Sequence, residues 1–401
     1  MKLIGENLQR FRFSNRLFST DSFLKFNTTI RNDGTNTNEI IHDVVNGDDT
    51  KVPGETIPIG SLPLSTRTEL LSSIKSLQLY STNNKKFIDK KRKLFKMMSW
   101  RQQQVCMEVG YMDKLNMVDD LINKNQKVLN SVIDYSMKTY QVKFSDFDII
   151  KNFIDGSSFK VIESLSHLNR DWDIEYPELQ PILNYIKGGL TKIDCDVNDT
   201  DIIVPGSGLG RISHELSKSG YNVDAIELNG LMYLLNNFIY NNPSKNLEIY
   251  PYIHNMSNFT TLKSQFRSVM IPTMVKPKNL NIHLEDFKFF EPKKENKTIV
   301  LVTAFFMDTA ENIIDYIDTI NELVKGYENK YWINIGPLKY GSAPQVELNV
   351  EELRDVRMKM GWEDIDSYDS LSENVIVGYA TDKESLWQGY YGLSGWVSKR
   401  S

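Results

Sequence analysis

The feature that most constrains the fold is a regular alternation in the second half of the chain, where short apolar runs are separated by stretches with helical spacing. DIIV (201–204) precedes RISHELSKSG, which ends at Gly220, and NVDAIEL (222–228) precedes LMYLLNNFIYNN, which stops at Asn242-Pro243. LNIHLED (280–286) carries apolar residues at alternate positions, and TIVLVTAFF (298–306) has the unbroken apolar character of a strand buried on both faces. The amphipathic ENIIDYIDTINELVKG is closed by Gly326. KYWINIG (330–336) is a further strand, VEELRDVRMKMG a further helix with a glycine stop, and NVIVGYAT and YYGLSGWVS are the last strand candidates. Alternation of this kind implies right-handed crossovers and a mainly parallel sheet with helices on both faces. The expected class is therefore α/β and Rossmann-like, with ligands at the carboxyl ends of the strands, near the point where strand order reverses.

The first half reads differently. Residues 28–66 are rich in Asn, Asp, Thr, Gly and Pro and predict a long, partly disordered loop. From Ser65 to about Tyr140 the pattern is helical, with Leu94, Met98, Val105 and Val109 recurring at multiples of three to four residues. The expected division is an N-terminal extension (1–64), a helical cap (65–165) and a Rossmann-like domain (166–401). Within the cap, KKFIDKKRKLFK (85–96) reads as a solvated helix face or as a nuclear localisation signal. QRFRFSNRLFST (9–20) has the composition of a mitochondrial transit peptide, but Glu6 and Asp21 flank it, which favours an ordinary N-terminal helix.

Composition narrows the partners. The net charge of −5 provides no global attraction to nucleic acid. No apolar run approaches the roughly 20 residues of a membrane span. Cys106 and Cys195 are the only cysteines, too few for a disulfide framework and suited to a reducing compartment. The five histidines match no metal-ligand spacing. The expected location is the cytoplasm, with the nucleus second and the mitochondrion third.

Four elements can carry chemistry. Gly206-Ser207-Gly208-Leu209-Gly210 follows the first apolar run as G-x-G-x-G, a turn that lets a ligand approach the backbone beside a helix N-terminus. It is neither the G-x-G-x-x-G dinucleotide fingerprint nor a phosphate loop, since no lysine follows. Glu227 ends the next strand, where a carboxylate can accept ribose hydroxyls of NAD or of S-adenosylmethionine; a surface glutamate is the plain alternative. Glu285-Asp286-Phe287 closes the following strand, placing an acid for an adenine amino group beside an aromatic ring. Three such signals at successive strand ends favour S-adenosylmethionine over NAD. Asp308, just beyond the buried run, could orient or deprotonate an acceptor. It could equally cap the next helix, because Glu311 three residues on completes a capping box.

NRDW (169–172), VPGSGLGRISHELSKSGY, FFMDTAENIIDYIDTI and WINIGPLKY together resemble the carnosine N-methyltransferase family, over roughly residues 65–400. The resemblance implies a class I methyltransferase fold with a helical region capping the sheet. It implies methyl transfer from S-adenosyl-L-methionine to an imidazole nitrogen of carnosine, forming anserine. The implied partner is a small dipeptide, with neither nucleic acid nor membrane, and a homodimer is compatible with it. On the cofactor side it assigns Arg170, Gly206, Gly208, Glu227, Asp286, Phe287 and Ala304, with His167 standing where the family has glutamine. On the substrate side it assigns Asp308 and Tyr391, and Tyr340 and Tyr390 are further candidates to wall the acceptor ring. Gly341 stands where the family has a substrate-contacting histidine, and Gly389 replaces one tyrosine of a tyrosine run. From the residues, two other readings stay open: the same chemistry on another histidine-containing peptide, and a non-catalytic scaffold.

Overall fold

A computed structural model describes residues 56–151, 158–173, 177–242, 246–341 and 343–401. The arginine-rich segment 9–20 and most of the polar segment 28–66 lie outside these described residues. The helical region consists of α1 (Leu64–Lys96), α2 (Trp100–Glu108), α3 (Tyr111–Thr139), α4 (Ser158–Trp172) and α5 (Gln180–Ile193). One stripe of α1 is buried at helical spacing, through Leu70, Leu71, Ile74, Leu77, Tyr80, Ile88 and Phe95, and α1 packs chiefly on α3.

This corrects the expected phase. Leu94, Val105 and Val109 are 50%, 53% and 60% exposed, so they mark a solvent face. The helix breaks after Lys96, and Ser99 opens α2 with a capping box to Gln102, so the two segments share no continuous stripe. In the basic run, Ile88 and Phe95 turn inward while its lysines are exposed or half-buried.

The strands are β1 (Thr200–Pro205), β2 (Asn222–Glu227), β3 (Asn246–Ile249), β4 (Val269–Pro272), β5 (Leu280–Leu284) and β6 (Thr298–Ala304), followed by β7 (Asn329–Gly336), β8 (Trp362–Asp369), β9 (Val377–Gly378), β10 (Tyr390–Tyr391) and β11 (Ser394–Arg400). The main sheet has the order β5-β2-β1-β6-β7-β11-β8. Its first five strands run parallel, and β11 enters antiparallel to both β7 and β8. The helices that follow strands are α6 (Arg211–Lys218), α7 (Gly230–Asn241), α8 (Leu262–Phe266), α9 (Ile313–Leu323) and α10 (Val350–Lys359).

Strand alternation sorts the core into two layers. Ile202, Val204, Val300 and Val302 face α1, α3, α4 and α7, whereas Ile203, Leu301 and Trp332 face α9 and α10. Burial on both faces explains why these strands read as continuous apolar runs. Three features of the strands were not foreseen. WEDIDSYD forms the edge strand β8, NVIVGYAT contracts to the two-residue β9, and β3 pairs with β4 in a separate antiparallel ladder.

Candidate active site

The order reversal falls at β1, whose neighbours β2 and β6 are reached by connections on opposite sides, and a crevice opens at the carboxyl ends of these strands. The glycine turn lines it. Gly206 and Gly208 have φ of +62° and +56°, which side-chain-bearing residues rarely adopt. A Cβ on Gly206 would stand 2.4 Å from the Phe306 ring, whereas nothing lies within 4 Å of one on Gly208. Gly206 is thus fixed by packing, and Gly208 faces open space where a ligand can approach. The Gly208 N–H donates to Glu227 Oε2 at 2.7 Å, and the Asn229 N–H donates to Oε1 at 2.7 Å. Burial pushes the Glu227 carboxyl above its usual range, opposed by these backbone donors. The Gly230 N–H donates to Glu69 Oε1 of α1 at 2.8 Å, so the helical region reaches the rim of the site.

The NRDW block lies against this turn. Trp172 is fully buried, and its indole N–H donates to the Leu209 carbonyl at 2.8 Å. Arg211, which ends the glycine motif, sits 5.4 Å over the Trp172 ring and donates to the Asp171 carbonyl at 3.0 Å. Arg170 donates from Nε to Asp171 Oδ1 at 2.6 Å and lies 4.6 Å over the ring of Tyr379. His167 meets Tyr379 edge-on at 5.4 Å. Burial, reinforced by the Arg170 charge, lowers the His167 pKa to about 4, so this imidazole is neutral at physiological pH.

All the cofactor positions expected from the sequence line one cavity: His167, Arg170, Gly206, Gly208, Glu227, Asp286, Phe287 and Ala304. Its volume of ≈ 370 Å³ falls within the roughly 300–1,000 Å³ typical of ligand sites. One end is aromatic, with Phe306 stacked on Tyr316 at 5.0 Å and Phe287 edge-on to Phe306 at 5.1 Å. Asp286 accepts the Lys288 N–H at 3.0 Å beside it.

A second cavity of ≈ 250 Å³ adjoins the first, and Phe305, Thr309 and Tyr379 line both. Phe305 has a φ of +52°, costly for a bulky residue and the kind of strain that gathers at functional sites. Asp308, Gly341 and Tyr391 also line this cavity. Asp308 is not a helix cap, since Asn312 caps α9 by accepting the Ile314 N–H at 3.0 Å. It sits in a single turn, 9% exposed, with Oδ2 accepting the Lys339 N–H at 3.0 Å. Burial raises its pKa.

Two expected substrate residues lie elsewhere. Tyr340, between the cavity-lining Lys339 and Gly341, turns the other way, packs in the α9 layer and donates its hydroxyl to the Leu348 carbonyl at 3.0 Å. Tyr390 is 46% exposed and donates to Gln388 Oε1 at 2.6 Å; Tyr391, its neighbour in β10, lines the cavity instead. The sequence reading missed Tyr379, Tyr316 and Lys339. Tyr379 had been absorbed into a strand candidate, and one tyrosine in a short apolar run carries no signal of what it faces.

This strand order, with a glycine turn after β1, an acid ending β2 and an acid–aromatic pair after β5, defines a class I S-adenosylmethionine-dependent methyltransferase. A family model described as carnosine N-methyltransferase matches residues 149–401. The chain belongs to the carnosine N-methyltransferase family. It is 31% identical over 327 residues to an uncharacterized protein of Saccharomyces cerevisiae, covering 71% of each. It is 28% identical over 342 residues to carnosine N-methyltransferase of Schizosaccharomyces pombe, covering 77% of this chain and 89% of that one. The mouse carnosine N-methyltransferase is also 28% identical over 342 residues, covering 79% and 82% respectively.

Proposed function

We propose that this enzyme methylates an imidazole nitrogen of carnosine (β-alanyl-histidine) to give anserine, holding the donor in the larger cavity and the acceptor in the smaller. The observation that carries this reading is the meeting of the two cavities across Phe305, Thr309 and Tyr379, with the buried Asp308 carboxylate on the acceptor side.

The residues of the larger cavity fit S-adenosylmethionine part by part. Arg170 offers a cation to the methionine carboxylate, Glu227 offers acceptor lone pairs to the ribose hydroxyls, and Gly208 leaves the backbone open to close approach. Phe287, Phe306 and Tyr316 form an apolar slot for a flat ring, with Asp286 at its edge. When bound, S-adenosylmethionine supplies a methyl group on a cationic sulfur, which keeps the electron pair of the broken C–S bond.

The chain's own share is positioning and charge. A neutral imidazole has one lone-pair nitrogen and one N–H. Asp308 accepts that N–H, which fixes the tautomer and turns the lone-pair nitrogen towards the junction of the cavities. As the N–CH₃ bond forms, the ring gains a positive charge, which the same largely buried carboxylate stabilises. Loss of the N–H proton to Asp308 or solvent then leaves a neutral methylated imidazole. The backbone N–H of Lys339 holds the carboxylate in place during this sequence.

Asp308→Asn tests the role. The amide keeps the shape but loses the charge, so kcat for carnosine should fall at least about a hundredfold, while calorimetry shows S-adenosylhomocysteine still bound. Turnover within a few-fold of wild type would overturn it. Gly341 favours a second acceptor class: its missing side chain leaves open space that a larger histidine-containing peptide could fill.

A further inference from the structure

We infer that Lys339 is a specificity-determining residue that binds a free carboxylate on the acceptor; this rests on the imidazole-methylation reading above. The acceptor cavity holds one side chain of each formal charge, Asp308 and Lys339, and its other walls include the rings of Phe305, Tyr379 and Tyr391. Lys339 is exposed, and its ammonium lies 5.6 Å over the Tyr391 ring, which places the cation at the mouth of the cavity. Among the described residues no carboxylate forms a salt bridge with it, so the cation is available to a ligand.

The backbone fixes the spacing of the two charges. The Lys339 N–H is bonded to Asp308 Oδ2 at 3.0 Å, while its side chain extends from the same residue to Tyr391. An acceptor whose ring N–H meets Asp308 therefore has a cation within one lysine side chain of it. At position 341 no described residue beyond the adjoining ones lies within 4 Å of where a Cβ would stand, which leaves room for the ligand and for the lysine to close on it. A neutral acceptor would gain no charge-assisted hydrogen bond from the ammonium. A histidine bearing its own free carboxylate pairs both charges. This selects a histidine at the carboxyl terminus of a small peptide, and it disfavours an amidated or chain-internal histidine.

The test compares carnosine with carnosine amide, which differ only at the carboxyl group. Wild-type enzyme should favour the free acid about tenfold in kcat/KM, chiefly through KM, as expected for one charge-assisted hydrogen bond. Lys339→Met should bring the acid-to-amide ratio close to one, and Lys339→Arg should keep it above one. Calorimetry on protein loaded with S-adenosylhomocysteine should show the same ratios in the binding of the two dipeptides, and the loading step itself reports that each variant is folded. Equal use of acid and amide by wild type, or a ratio that survives in Lys339→Met, would overturn the role of Lys339 while leaving imidazole methylation standing. Failure of wild type to methylate either compound would overturn the substrate reading and this inference together.

Discussion

Asp308 illustrates how a side chain's availability depends on its competitors. Its local sequence suits a helix cap, but Asn312 takes that position and leaves the carboxylate at the wall of the acceptor cavity. The consequence can be read in a pH profile. An ordinary aspartate titrates near about 4, and burial raises this one, so its ionised form is lost at a higher pH than usual as the solution is acidified. Activity that needs the carboxylate should fall along the same limb. Protonation of free carnosine adds an acidic limb of its own, shared by wild type and Asp308→Asn. The kcat/KM profile of wild type should therefore carry an additional acidic ionisation that the variant lacks; superimposable limbs would contradict the role. The lining of the larger cavity was legible because glycines and acids at successive strand ends fall together on the rim where a parallel sheet opens its crevice. Tyr340 and Tyr390 were not, because which way a loop tyrosine turns is decided by its neighbours: Leu348 holds one and Gln388 the other.

At the scale of elements, legibility followed burial. β1 and β6 are covered on both faces and announce themselves as apolar runs. The edge strand β8 fully buries only Trp362, sets Asp364 and Asp366 on its inner face and exposes Ile365, so its apolar pattern is masked. Besides its ladder with β11, β8 is tied to α10 by Arg357, which is buried against Trp396 at 4.0 Å and bonded to Asp364 at 2.5 and 3.0 Å. Removing one partner of such a buried pair costs on the order of 3 kcal/mol, so Arg357→Ala should lower the urea midpoint clearly. The pH dependence has a definite sign. Burial acts to raise the Asp364 pKa, but its bonds to Arg357 and Ser398 outweigh this and depress it. The stability it contributes is complete above the unfolded carboxyl value and is lost as pH falls through the lower folded value. The wild-type advantage over Arg357→Ala should shrink across that window; an advantage independent of pH would contradict the pairing. A second element-scale contact joins α1 to the rim of the larger cavity at Gly230, where a Cβ would stand 2.5 Å from Ser73 Oγ and 3.1 Å from the Glu69 backbone. Gly230→Ala should force α1 away, costing about 1–3 kcal/mol in denaturant unfolding and weakening S-adenosylhomocysteine binding in calorimetry. Unchanged affinity and stability would show that α1 does not brace the site.

Across the whole molecule, the helical region and the sheet share one continuous hydrophobic layer, in which Leu70 and Leu77 of α1 belong to the same cluster as Ile202 and Val300. The helical region also braces the turn beside the larger cavity, where Glu69 accepts the Gly230 N–H, an arrangement that alternation in the second half of the chain could not reveal. The parallel sheet and the order of chemical groups along its rim follow from local patterns in sequence. The smaller cavity does not, because residues from the loop after β6, the loop after β7 and the β9–β10 ladder meet there only in three dimensions. The central claim is that this convergence directs a methyl group onto an imidazole nitrogen of carnosine. The direct measurement is fragmentation mass spectrometry of carnosine after incubation with the enzyme and S-adenosylmethionine. The account predicts a dipeptide carrying one added methyl group on its imidazole fragment, formed at least about a hundredfold more slowly when Asp308→Asn replaces the wild type. Unmodified carnosine, or a methyl group on the β-alanyl amine, would contradict it.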